Sequence, residues 1–178
     1  SERDPYTNLL GNNLTSNLYV LGYNRNKHLS TLNTATKTNL ISYLDRYKPL
    51  TDSINIKDAF IINFGIDFEI TTFKNINDQQ VLLDCIASLK DYFDIDKWQI
   101  NQPIMESEVY NIIANNIGVQ SVTSIELKNI TGKESGYSQF KYDFEQATKK
   151  GIIYPSMDPS IFEIKYLNSD IKGKITQY

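Results

Sequence analysis

The chain has one cysteine and one histidine in 178 residues. A lone cysteine excludes an internal disulfide and any cysteine-built zinc site. A single histidine means that a Ser-His-Asp or Cys-His relay has only His28 to draw on. A basic excess is also missing. Lys and Arg number 18 against 21 Asp and Glu, for a net charge of −3, and the only arginines are Arg3, Arg25 and Arg46. Nucleic-acid binders displace counterions with a surplus of positive charge, so no nucleic-acid partner is expected. No window approaches the ~18 uninterrupted apolar residues of a membrane helix, and no membrane partner is expected either. What is present is 40% hydrophobic, 22% charged and 12% aromatic, too apolar for a disordered chain and too mixed for a fibre.

The opening run Ser1-Glu2-Arg3-Asp4-Pro5 is polar, without an initiator Met or an apolar signal core. Such a start is expected of a fragment of something longer or of a processed product, and gives no reason to place the protein in a secretory pathway. Asn13-Leu14-Thr15 and Asn129-Ile130-Thr131 match the glycosylation sequon, a match that arises readily by chance in an Asn-rich chain.

The pattern along the chain predicts a mixed fold. Residues 18–21 read as a short strand and 34–47 as a helix, with Leu40, Ile41 and Leu44 on one face and Pro49 as its stop. From 60 to 70, Phe60, Ile62, Phe64, Ile66, Phe68 and Ile70 alternate with mostly polar residues. This period of two predicts a strand with one buried and one solvated face. Asn77-Asp78 is a plausible cap for a helix over 79–93, striped by Val81, Leu82, Cys85, Ile86, Leu89 and Phe93. A short strand is expected at 98–101. A helix over 106–117 follows, with Val109, Ile112, Ile113 and Ile117 on one face and Gly118 as its left-handed end, then a strand over 122–127. Strand, helix, strand, helix, strand is an α+β sandwich, with a ferredoxin-like topology as one arrangement. Residues 1–57 read as a lead-in, 58–131 as the central domain, and 132–178 as a β-rich C-terminal appendage with strands at 151–154, 161–166 and 171–178.

Candidate chemistry is thin. Cys85 falls on an apolar stripe, where a thiol is usually a small buried hydrophobe. Asp67 and Glu69 stand two apart on the polar face of the long strand, which suits acid–base work or a divalent cation; the simpler reading is that they solvate the sheet. Asp91, Asp94 and Asp96 lack the spacing of a calcium loop, and the Gly132–Gly136 stretch lacks that of a nucleotide loop. No catalytic residue, metal or cofactor is therefore expected. The apolar, proline-broken segment 152–162 reads as a rigid contact arm, with Tyr154, Pro155, Met157, Pro159, Ile161 and Phe162 as partner-interface candidates.

Six stretches, taken in order, resemble one family. They are Tyr43-Leu44-Asp45-Arg46-Tyr47-Lys48-Pro49-Leu50-Thr51-Asp52, Asn55-Ile56-Lys57-Asp58-Ala59-Phe60, Val81-Leu82-Leu83, Trp98-Gln99-Ile100-Asn101-Gln102-Pro103-Ile104, Gly118-Val119-Gln120-Ser121-Val122, and Gly151-Ile152-Ile153-Tyr154-Pro155-Ser156-Met157-Asp158-Pro159-Ser160-Ile161-Phe162-Glu163. Together they resemble the C-terminal part of the baseplate wedge protein of T-even-type contractile-tail phages, within the wider baseplate J-like family. The resemblance implies a non-enzymatic virion subunit, assembled in the host cytoplasm into the inner ring of the tail baseplate. It implies contacts between like copies, as a homodimer or ring, and with other wedge proteins. A monomeric adaptor or ligand-binding module without catalysis is the alternative.

Overall fold

A computed structural model describes residues 15–47 and 53–176. The Asn13 sequon, Pro49 and the end of the expected strand 171–178 lie outside the described residues. The chain is α+β and divides into two compact units, Ser1–Ala59 and Phe60–Tyr178.

In the first unit, strand β1 (Thr15–Val20) is followed by the short strands β2 (Gly22–Tyr23) and β3 (Leu29–Ser30), helix α1 (Thr34–Leu44) and strand β4 (Ser53–Asp58). β1 and β4 pair in parallel, with Leu18 opposite Ile56, and β2 and β3 form an antiparallel hairpin. Asn33 starts α1 by accepting the Thr36 N–H at 2.8 Å, relieving one of the orphan donors of a helix start. Lys37, Leu40, Ile41 and Leu44 form its half-buried face, and no α1 residue is fully buried. Lys37 Nζ reaches Asp58 Oδ2 of β4 at 2.5 Å.

The second unit is organised by one strand. β5 (Phe60–Thr72) leads to α2 (Asp78–Tyr92), a 3-10 turn (Ile95–Lys97), β6 (Ile104–Met105), α3 (Glu106–Ala114) and β7 (Val119–Asn129). Then come α4 (Phe144–Ala147), β8 (Thr148–Lys149), β9 (Ile152–Ile153), β10 (Ser160–Glu163) and β11 (Ile171–Ile175). β5 pairs with three strands: antiparallel with β7, parallel with β10 over Phe60–Asn63, and parallel with β11 over Ile66–Ile70. Backbone parity shows how they are arranged. Phe60 N–H donates to Pro159 O and Ile66 N–H to Asp170 O, whereas Asn63 O accepts from Ile130 N–H at the end of β7. Alternate residues of a strand point their backbone groups to opposite edges, so β10 and β11 follow one another along one edge and β7 takes the other. A separate small sheet runs β6-β9-β8.

The alternation of β5 builds the core. Ile62, Phe64, Ile66, Phe68 and Ile70 are each at most 1% exposed. Against them lie α2, through Val81, Cys85 and Leu89, and α3, through Val109 and Ile113. Fully burying one such side chain stabilises by about 1.5–3 kcal/mol. The Phe64 ring lies 5.3 Å from Phe93, 5.8 Å from Phe144 and 6.0 Å from Phe162, so the core is aromatic where β5 meets β10.

Several expectations change. Residues 98–101 form no strand. Asp94 Oδ1 accepts the Asp96 N–H and holds a 3-10 turn, and Asn101 takes a left-handed φ of 64°, which ends extended pairing. Two helices therefore follow one another with only the two-residue β6 between them. Ile117 is 92% exposed because α3 ends at Ala114, although Gly118 takes the positive φ of 102° that its place demanded. Phe60 is 42% exposed and packs at a tilt against Phe140, ring centroids 4.8 Å apart. Residues 132–178 are no appendage, since β10 and β11 complete the sheet of the 60–178 unit.

Candidate interaction surface

The contact arm predicted at 152–162 splits into an exposed tip and a buried root. Tyr154 is 47% exposed and Met157 fully so, while Pro155 and Pro159 are half-buried. Ile161 and Phe162 are only 5% and 2% exposed. Both are buried, on opposite faces of β10: Phe162 lies beside Ile62 on the core face, its ring 5.8 Å from Tyr142 and 5.7 Å from Phe144, and Ile161 lies beside Ile61 on the other face. They are therefore withdrawn as surface contacts.

The tip is held at both ends. Asn101 grips Ser160 twice, its N–H donating to Ser160 O at 2.7 Å and its Oδ1 accepting the Ser160 N–H at 3.1 Å. Ser160 Oγ accepts the Ser156 N–H at 3.1 Å, and Ser156 Oγ donates to Asp158 O at 2.7 Å. Tyr142 OH donates to Tyr154 O at the other end. A loop so pinned, with two prolines fixing φ, presents Tyr154 and Met157 with little entropy left to lose on binding.

The second candidate surface, the polar face of β5, is an ion ladder. Asp67 pairs with Lys128 at 2.9 Å, Lys128 with Glu126 at 3.1 Å, and Glu69 with Lys174 at 3.3 Å. Hydrogen bonds to Asp67 and Glu126 raise the Lys128 pKa, so this ammonium stays charged. Each carboxylate proposed for acid–base work thus faces a cation. Beside the ladder lies an open groove of about 570 Å³ whose lining includes Asp67, Lys128, Tyr137, Asp170 and Lys172.

Part of this face is not solvated, which the sequence does not reveal. Asn63 and Glu163, opposite one another on β5 and β10, are 1% and 3% exposed. Asn63 Nδ2 donates to Glu163 Oε2 at 2.8 Å, and its Oδ1 accepts the Ser138 N–H at 2.7 Å. Asp170, 5% exposed, accepts from Tyr137 OH at 2.7 Å and from the Tyr166 N–H at 2.9 Å. Burial, then the bond to Asp170, pushes the Tyr137 phenol up to about 12. Asn129 donates its amide to Asn63 O at 2.9 Å and accepts the Tyr142 N–H, so its sequon nitrogen is committed inside the fold.

The remaining candidates take structural roles. Cys85 is wholly buried, its Sγ 3.9 Å from Ile113 O, and burial with the nearby Asp84 charge pushes the thiol up to about 11. His28 closes the hairpin in which Asn24 Oδ1 accepts its backbone N–H at 3.1 Å. Asp94 caps the 3-10 turn and Asp91 pairs with Lys97 at 2.6 Å. Among the described residues, no three His, Cys, Asp or Glu side chains group to hold a metal. No helix there is long and apolar enough to cross a membrane. Compared with protein-family models and with curated proteins, the chain matches none.

Proposed function

We propose that this chain is a structural subunit of a contractile phage tail baseplate. In this reading it is a virion component of the inner wedge ring that acts without catalysis. It joins like copies and other wedge proteins through preformed surfaces. The six ordered stretches of resemblance motivate the assignment. The observation that carries it furthest is the pinned tip with Tyr154 and Met157 standing in solvent. A ring subunit needs such rigid apolar anchors, because its contacts must form without refolding. A ferredoxin-like topology is not part of the proposal, since α2 and α3 succeed one another with no strand of the β5 sheet between them.

The test joins two measurements. Light scattering over a wide concentration range reads self-association, and sedimentation with contractile-tail particles reads incorporation. Burying an apolar side chain of this size is worth about 1.5–3 kcal/mol, so Tyr154→Asp with Met157→Asp removes most of a modest interface while both side chains lie outside the core. Incorporation of the unaltered chain and its loss in the folded double variant is the expected result. A chain that never enters tail particles overturns the baseplate reading and leaves the adaptor.

A further inference from the structure

Among the described residues, β7 is bonded along one edge only. Lys128, Glu126 and Ser124 lie opposite Gly65, Asp67 and Glu69, the β5 residues whose backbone groups face β7. The N–H and C=O of Ile125 and Leu127 therefore point away from the sheet. Among the described residues no strand pairs with that edge, and outside the ladder with β5 no backbone hydrogen bond involves Ile125 or Leu127. The edge is also accessible. Open grooves of about 380 and 600 Å³ adjoin it, and Leu127 lines both.

The other two edges of the sheet are guarded. Asn101 occupies Ser160 on β10, and β11 carries Lys172 and Lys174, the charged type that discourages edge pairing. On β7 the extra residues Thr123 and Gln120 break the register with β5, so the regular stretch is 124–129. Its charges select a partner. In an antiparallel pairing of this stretch with itself, a two-fold axis through Glu126 sets Glu126 against its own copy. An axis through Ile125 leaves Glu126 and Lys128 opposite Ser124 and Val122. An axis through Leu127 places each Glu126 opposite the other copy's Lys128, twice, and keeps the outward backbone groups in bonding phase.

We propose that two copies join β7 to β7, antiparallel about a two-fold axis at Leu127, making one sheet continuous through both. This rests on the self-association in the proposed function, for which it names the surface. That surface is distinct from the Tyr154–Met157 tip, so a subunit with two neighbours has a contact for each.

The experiment uses Glu126→Lys and Lys128→Glu, each alone and mixed in equal amounts, with sedimentation equilibrium as the readout and circular dichroism to verify folding. Each variant alone opposes like charges and should dimerise about tenfold or more weakly than the unaltered chain. The mixture restores both opposite-charge pairs and should recover a dimer containing one chain of each kind. Ile125→Pro removes an outward N–H without touching the bonds to β5, and should abolish the dimer even if Lys128→Glu fails to fold. An unaltered chain that stays monomeric, single variants that dimerise unchanged, a folded mixture that stays monomeric, or a dimer that survives Ile125→Pro overturns the pairing. A dimer lost on Ile125→Pro, in a chain that does not enter tail particles, sustains the pairing and sinks the baseplate reading.

Discussion

Asn63→Ala is the most informative single substitution in the 60–178 unit. Its side chain is 1% exposed and makes two bonds, to the Glu163 carboxylate at 2.8 Å and from the Ser138 N–H at 2.7 Å. A hydrogen bond to a charged partner contributes about 1.5–3 kcal/mol and one to a neutral amide about 0.5–1.5 kcal/mol, so the loss should total about 2–4.5 kcal/mol. Most of it reflects the desolvated groups left behind rather than the volume removed. Glu163→Gln in the same background should recover part of the loss, because the carboxylate charge left without its amide donor is gone. A coupling of about 1 kcal/mol or more between the two positions is expected. The assay is urea unfolding followed by fluorescence. Trp98 is the only tryptophan, is 7% exposed, and packs 5.3 Å from Phe93 and 5.6 Å from Tyr92, so its emission reports this unit. A change in unfolding free energy below about 0.5 kcal/mol, or effects at the two positions that simply add, would refute the argument that this pair anchors β10 on β5.

Three further outcomes follow from local geometry. A Cβ at Gly65 would sit 2.7 Å from Asp170 O and 2.9 Å from Ile130 Cδ1, so Gly65→Ala should cost about 1–3 kcal/mol in the same urea assay. Cys85, held near 11 against an ordinary 9.0, should alkylate at mildly alkaline pH at least about a hundredfold more slowly in the native protein than in denaturant, read by mass spectrometry. Tyr137, raised from 10.0 to about 12, stays protonated in the folded state while the unfolded phenol ionises. Its contribution to stability is therefore intact below pH 10.0 and is lost as pH climbs towards about 12, and Tyr137→Phe should flatten that part of a stability–pH profile measured by thermal unfolding.

What could be read from residues alone was local periodicity. The alternation from Phe60 to Ile70 and the stripe of Val81, Cys85 and Leu89 needed no partner to be visible, and both stand in the structure. Trp98 misled because an aromatic beside Ile100 scores as strand, while the Asx cap from Asp94 and the left-handed Asn101 decide against it. Ile161 and Phe162 misled for another reason. Two flanking prolines read as an edge or an arm, but a strand's depth depends on what it pairs with, and β10 pairs with residues about a hundred positions earlier. Asn63, Glu163 and Asp170 were illegible as buried groups for the same cause. Polar residues on an outward face look solvated until a distant loop such as that of Tyr137 and Ser138 covers them.

The shared edge of β5 also sets the order in which this protein can be made. Lys174 and Glu69, bonded across β11 and β5 in the finished sheet, are 105 positions apart. At about 5–20 residues per second, β5 waits roughly 5–20 s on the ribosome before its parallel neighbour exists. Through that interval a thirteen-residue strand carrying Phe64, Ile66 and Phe68 has an unclosed side, and the β5 of an adjacent nascent chain is the nearest substitute. The yield of correctly folded molecules should therefore depend on translation speed and on crowding along the message, through a topology that delivers the last strand to the first one of its sheet.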